Sequence, residues 1–198
     1  LAELGAKIEV DILKRNMGKQ DHYAAAFGGL NIISFFSDES VEIKSLENKN
    51  FNTSILSDNL LLFFTGQTRD ASKILASQSK NTLSKFETLK SMRNLVPRLE
   101  KAYLSSKFDL FGEYLHQNWL MKKTLTNKVS NTSIDVFYER ALKAGAVGGK
   151  LLGAGGGGFI CFYVKKENKQ NVIDCLPELK HVDFNFENTG SQITYNDK

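Results

Sequence analysis

The sequence predicts an α+β fold with an antiparallel sheet and helices on one face, and three observations carry that expectation. First, "KLLGAGGGGFICFY" (150–163) sets five glycines in six positions between two apolar runs, the pattern of two buried strands joined by a hairpin. Second, "FDLFGEYLHQNWLMKKTL" (108–125) and "SIDVFYERALKAG" (133–145) repeat apolar residues at helical spacing. Third, "NLLLFFTG" (59–66) is a short apolar run stopped by Gly66, as a buried strand would be.

Taken in order, residues 1–15 read as a helix ended by the turn-forming "NMG" (16–18). "KQDHYAAAF" (19–27) predicts a short second helix broken by Gly28 and Gly29. Segments 30–36 and 41–45 predict a hairpin across "SDES", and the polar, Asn-rich stretch 46–58 predicts an exposed connection between two lobes. A helical region from about Asp70 to about Ser106 is expected to break near Ser79–Thr82. Asp109 is placed to cap the 108–125 helix, with Ser133 and Gly145 as N-cap and C-cap of the next. The remainder reads as strand (146–152), glycine loop, strand (159–164), helix (about 168–176) and strand (182–186).

Composition narrows the function. The 198 residues can bury a real core, and 41% hydrophobic with 24% charged residues is the balance of a globular protein. A formal net charge of +4, dispersed along the chain, argues against nucleic acid as a partner. "LLLFF" (60–64) is too short to span a bilayer, so no membrane partner is expected. Cys161 and Cys175 have no second pair with which to build a zinc site or disulfide framework, and read as small buried hydrophobes of a reducing, cytoplasmic setting. His22, His116 and His181 lack metal-ligand spacing and read as surface or packing residues.

Two places carry charge where apolar residues are expected. On a helical wheel of the first helix, Leu1, Leu4, Ile8 and Ile12 form one stripe and Glu3, Lys7, Asp11 and Lys14 the opposite face. Glu9 falls among the small and apolar residues, so it is a member of a structural ion pair, a helix-edge glutamate or a metal ligand. Asp21 lies beyond the Gly18 reversal, in the first turn of the next helix, where the dipole favours an acid. If the turn folds one helix onto the other, Glu9 and Asp21 face one cleft, and Asp21, with Lys19 nearby, is able to orient a hydroxyl nucleophile. Asn118 and Lys122 lie within the apolar stripe of the 108–125 helix, as lobe-interface rim residues or as the lining of a polar pocket.

Gly153, Gly155 and Gly158 formally satisfy G-x-G-x-x-G, but a strand follows where the dinucleotide fingerprint requires a helix. The bare loop is then either a conformational device or a loop packed against a ligand or another phosphate-binding loop.

At this point "GKQDHYAAAFGGLN" (18–31), "DNLLLFFTGQTRDASKIL" (58–75) and "GAVGGKLLGAGGGGFICFY" (145–163) resemble successive segments of the GHMP small-molecule kinases. The resemblance covers nearly the whole chain and lies nearest the bacterial D-glycero-D-manno-heptose 7-phosphate kinases and fucokinase-like sugar kinases. It implies a two-lobed architecture. Residues 1–50 would be the C-terminal part of the first lobe (ribosomal S5 domain 2-like), and 51–198 the ferredoxin-like C-terminal domain. It also implies ATP and Mg²⁺ as cofactors and a sugar or sugar phosphate as substrate. Asp21 would then be catalytic and Glu9 the magnesium ligand. Gly153, Ala154, Gly155, Gly156, Gly157 and Gly158 would bind the nucleotide, and Lys19, Gln20, Thr65, Arg69, Asn118 and Lys122 the substrate. The expected reaction is transfer of the γ-phosphoryl group to a sugar hydroxyl, above all the anomeric hydroxyl of a heptose 7-phosphate, with fucose or galactose as alternative acceptors.

The family's earlier glycine- and serine-rich phosphate loop and its N-terminal basic residue have no counterpart in these residues, and the chain opens inside a helical pattern. The expectation is therefore such a kinase or its C-terminal two-thirds. The alternatives are a truncated, non-catalytic fragment that keeps the fold and a structural or interaction module. Apolar surface left uncovered would favour a homo-oligomer.

Overall fold

The computed structural model describes residues 1–46, 53–68 and 71–195. The chain divides into two compact units, Leu1–Thr53 with Asn185–Lys198, and Ser54–Phe184.

In the first unit, α1 (Ala2–Ala6) runs directly into a π-helical segment, Lys7–Ile12. Here the Leu13 amide reaches back to the Ile8 carbonyl at 2.9 Å, and that of Arg15 to the Glu9 carbonyl at 3.0 Å. A π turn advances less angle per residue than an α turn, so the wheel used above stops describing the side-chain directions after Ala6. The anticipated apolar stripe is not a core face: Leu1 and Ile12 are 80% and 64% exposed, while Ala2 and Ala6 are buried, and only for Ile8 and Ile12 does the π segment account for the difference. Helix α2 (Gln20–Phe27) and the antiparallel hairpin β1 (Asn31–Phe35) and β2 (Val41–Ser45) follow as expected, in the register Asn31↔Ser45 to Phe35↔Val41. Tyr23 is buried, its ring edge-on to Phe35 at 5.5 Å. The sequence places the C-terminal tail with the second lobe; in the structure it lies against the end of α2 instead. The Gly29 amide donates to the Glu187 carbonyl at 2.8 Å and that of Ser191 to the Ala26 carbonyl at 3.1 Å.

The second unit begins within α3 (Thr53–Asp58), a helix inside the stretch read as an exposed connection. Strand β3 (Leu60–Phe64) leads to α4 (Ala71–Lys80), α5 (Phe86–Arg93) and α6 (Val96–Leu104), with Pro97 in the first turn of α6, where its missing amide costs nothing. Next come α7 (Phe108–Lys123), α8 (Thr132–Lys143), β4 (Ala146–Leu151), β5 (Phe159–Val164), a 3-10 turn (Lys166–Asn168), α9 (Lys169–Asp174) and β6 (Lys180–Val182). The last strand is shorter and earlier than predicted.

The four strands are antiparallel in the order β4-β5-β3-β6. With helices inserted between β3 and β4 and between β5 and β6, this is the ferredoxin-like arrangement. Registers Leu61↔Phe162 and Phe63↔Ile160 put four apolar side chains on one face. They pack with Ile134, Tyr138 and Ala141 of α8, Val172 of α9 and Trp119 of α7 into one buried cluster.

Two caps differ from the expectation. Asn131, not Ser133, caps α8: its Oδ1 accepts from the Ile134 amide at 3.1 Å. Asp109 does not cap α7 but sits in its first turn and pairs with Lys165 at 2.7 Å. Gly145 follows the C-cap Ala144 with φ +107°, a left-handed conformation suited to glycine. No helix among the described residues is long and apolar enough to cross a membrane.

Candidate active site

In the first unit the π segment and the start of α2 hold the two acids singled out from sequence. Glu9 is about one-third exposed, and both of its oxygens have partners: Oε1 is 3.1 Å from the Arg15 guanidinium Nη1 and Oε2 3.4 Å from the His22 ring Nε2. His22 Nδ1 is buried without a hydrogen-bond partner. Asp21 occupies the first turn of α2, with its carboxylate exposed and no hydrogen bond or ion pair to any described residue. Gln20 is exposed at the start of the same turn. Lys19 turns away to Glu3, its ammonium 3.8 Å from Glu3 Oε1, while the Tyr23 hydroxyl donates to Glu3 Oε2. Those two partners, the tyrosine first, hold the Glu3 carboxyl below its ordinary range. Of the charged groups placed here by sequence, Asp21 therefore remains available to a ligand, whereas Glu9 and Lys19 are engaged.

A magnesium ion takes hard oxygen ligands, usually one or two carboxylates together with substrate phosphates and water. Glu9 and Asp21 are the right chemical type. As arranged, the Glu9 oxygens are committed to Arg15 and His22, and among the described residues no three His, Cys, Asp or Glu side chains gather as a metal-binding group. The donor set does not fit the ion in this arrangement.

The glycine hairpin belongs to the second unit, between β4 and β5, and its crowding has an identifiable source. A Cβ on Gly155 would lie 2.8 Å from the Val129 carbonyl oxygen, and one on Gly157 2.6 Å from that of Gln67. The Gly156 and Gly158 amides donate to those same two carbonyls, each at 2.8 Å. The loop thus has to be bare because two segments of its own unit press on it, and two of its amides are already used. Thr65 is part of this lacing: it is buried, and its amide and hydroxyl both donate to the Gly158 carbonyl, at 2.8 and 2.9 Å. The Ala154 carbonyl accepts from Gln78 at 3.2 Å. Arg69 lies outside the described residues.

Asn118 and Lys122 come together with a residue the sequence reading missed, Lys150 of β4. Helix α7 lies close against β4, because Gly148 lets it approach: a Cβ there would be 2.1 Å from the Gly112 carbonyl oxygen. The Lys150 ammonium donates to Asn118 Oδ1 at 3.0 Å, and the buried Lys122 ammonium donates to the Gly153 carbonyl at the root of the hairpin. Burial first, and the Lys150 charge second, bring Lys122 down to about 8. Burial likewise lowers Lys150 and pushes the Cys161 thiol, opposite Lys150 in the β4–β5 register, up to about 11. A thiol so raised is a poor nucleophile, in keeping with its reading as a packing residue. A lone lysine in the apolar "AVGGKLL" was the available signal for Lys150.

Beside the hairpin, Thr68, Lys73, Asn127, Lys128, Ser130, Asn131 and Gly156 line an open cavity of about 590 Å³. Among the histidines, His116 packs on Tyr138 and shares a 2.9 Å hydrogen bond with its hydroxyl, and burial lowers its pKa.

This fold and glycine hairpin define a class. Residues 80–181 match the family described as GHMP kinases C terminal, and the chain belongs to that family. Over 195 residues it is 34% identical to the D-glycero-alpha-D-manno-heptose 7-phosphate kinase of Campylobacter jejuni, a match covering 96% of this chain and 57% of that protein. The crystal structure of a D-glycero-D-manno-heptose 1-phosphate kinase from Bacteroides thetaiotaomicron superposes with a TM-score of 0.65 at 27% identity, covering 98% of this chain and 55% of that one. The galactose complex of Lactococcus lactis galactokinase shares the fold, with a TM-score of 0.67 at 19% identity over 96% of this chain and 60% of that one. The chain thus spans just over half the length of these relatives.

Proposed function

We propose that the protein acts as an ATP-dependent sugar kinase, or as the C-terminal part of one. Its acceptor is the anomeric hydroxyl of a D-glycero-D-manno-heptose 7-phosphate. The observation that carries this reading is the 34% identity to a heptose 7-phosphate kinase, sustained over 96% of the chain. In domain terms, we read residues 1–50 as the end of the first kinase lobe and the chain from 51 to 184 as the family's C-terminal domain, the tail from 185 returning to the first unit.

Asp21 is the acid best suited to the chemistry, because it is exposed, unpaired among the described residues and fixed by a helical turn. Its carboxylate accepts the hydrogen of the acceptor hydroxyl and aims the oxygen at the γ-phosphorus. The new P–O bond forms as the bond from that phosphorus to the bridging oxygen of ADP breaks, and the hydroxyl proton passes to Asp21. Little covalent work is asked of the protein in such a transfer; positioning and charge stabilisation dominate. Gln20 and Lys19 border the same turn. We assign no step to magnesium, since Glu9 is held by Arg15 and His22.

That ion pairing favours a second reading, an interaction module that reuses the fold without turnover. Calorimetry of the chain with Mg·ATP separates the two. Saturable, Mg²⁺-dependent heat supports the kinase, and its absence at millimolar nucleotide supports the module.

A further inference from the structure

Lys122 and Lys150 meet where α7 packs on β4, and the local structure leaves their charge unbalanced. Lys122 is only 9% exposed. Its ammonium has one protein acceptor, the Gly153 carbonyl, and that of Lys150 has one, Asn118 Oδ1 at 3.0 Å. Both acceptors are neutral. Among the described residues neither lysine forms an ion pair with a carboxylate, although the half-buried Lys123 of α7 and Lys165 after β5 do, with Asp135 and Asp109.

An ammonium offers three donors, so each lysine keeps donors that no protein oxygen uses. Two cations placed together and partly out of water, without an anion, are mutually repulsive and poorly solvated. A salt bridge inside the protein would relieve that cost. The sequence supplies instead a neutral amide and a backbone carbonyl, which hold the two ammonium groups in place without neutralising them. That is the arrangement of a receptor for an external anion: charge-assisted N–H donors, already oriented, with their positive charge left for the ligand.

We propose that Lys122 and Lys150, held by the Gly153 carbonyl and Asn118, form a binding subsite for a phosphate-monoester dianion at the root of the glycine hairpin. A dianion matches the two positive charges, and its several oxygens accept from both ammonium groups at once. The doubly charged terminal phosphate of such a monoester is also offered by the anhydride-linked end of a nucleotide and by free hydrogen phosphate. The naming of a sugar phosphate as the natural source rests on the sugar-kinase reading; the anion site itself does not. Under that reading the pair makes the protein choose a phosphorylated sugar over the free sugar.

The test is binding without turnover. Lysine ε-¹³C, ¹⁵N-labelled chain is titrated at pH 7 with inorganic phosphate, a hexose 6-phosphate and metal-free ATP, and with chloride at matched ionic strength. Lys122→Met and Lys150→Met assign the signals, and thermal melts show whether each variant is folded. The expected result is a saturable shift of the Lys122 and Lys150 signals with phosphate compounds and none with chloride. Affinity should weaken at least about tenfold in either folded variant, the equivalent of about 1.4 kcal/mol. Tightest binding of the hexose phosphate assigns the subsite to the acceptor, and tightest binding of ATP assigns it to the nucleotide. If the two signals stay still in the unmutated chain, or move equally with chloride, the subsite does not exist. Such a failure leaves the kinase reading standing, because that reading is tested by Mg·ATP binding and by Asp21.

Discussion

Lys122 shows how one residue can combine a structural cost with a chemical use. Burial, reinforced by the Lys150 charge, lowers its pKa from the ordinary 10.5 to about 8, so the fold disfavours its protonated form. The unfolded chain binds the extra proton between those values, and stability therefore rises with pH across the window from about 8 to 10.5. At pH 7 the cost is fully present, and a depression of this size corresponds to at most about 3 kcal/mol. Cys161 works in the opposite direction: its thiol, raised to about 11, stays protonated in the fold, so its contribution is lost as pH climbs above the ordinary 9. The two are separable between pH 8 and 9, where the lysine acts alone of the pair. Urea unfolding of the unmutated chain should show stability increasing over that interval, and Lys122→Met should flatten the increase. A slope equal in both proteins would show that Lys122 is not the group responsible.

At the scale of elements, the ends of helices distinguish what the sequence discloses from what it leaves open. "SNTSID" offers a capping side chain at nearly every position, and sequence alone favoured Ser133. The structure selects Asn131, because its backbone is extended (φ −145°, ψ 170°) and its side chain serves two ends: Oδ1 takes the Ile134 amide and Nδ2 reaches Gln67 Oε1 at 3.1 Å. Asn131→Ala should cost about 1–2 kcal/mol, and Ser133→Ala no more than about 0.5 kcal/mol, both read by urea denaturation. Equal losses would return the cap to Ser133. The π segment was not legible for a different reason. Its i→i−5 hydrogen bonds leave no period in the residue pattern, so a wheel drawn for an α-helix assigned Ile8, Glu9 and Ile12 to faces that the chain does not present. Where the pattern is short-range and strong, as in "KLLGAGGGGFICFY" or "FDLFGEYLHQNWLMKK", strand, hairpin and helix all lie within a residue or two of the expectation.

For the molecule as a whole, the fold was more legible than the site. The α+β class and antiparallel sheet follow from apolar runs and glycines that act locally, and their order along the chain places the family. The tail's attachment to α2 depends on a few backbone hydrogen bonds between residues more than 150 positions apart, and no residue from 185 onward advertises them. The candidate site divides in the same way. Asp21 could be read from its place in a first turn, and Lys122 from its place in an apolar stripe. Lys150 and the partners of Glu9 became visible only when helix met strand and turn met helix. The glycine run reads from sequence as a conformational device or as a loop packed against a ligand or a phosphate-binding loop, and the groups that press on it are the Val129 and Gln67 carbonyls of its own unit.

The central claim is that Asp21 directs a sugar hydroxyl onto the γ-phosphate of ATP, and one comparison tests it most directly. Transfer of labelled γ-phosphate from ATP to heptose 7-phosphate is measured for the protein and for Asp21→Asn, with thermal melts in parallel. An exposed carboxylate carries little stability, so the melting temperature should move by no more than about 2 °C, while kcat should fall by about 100-fold or more. Activity of the variant within about tenfold of the original would contradict the claim.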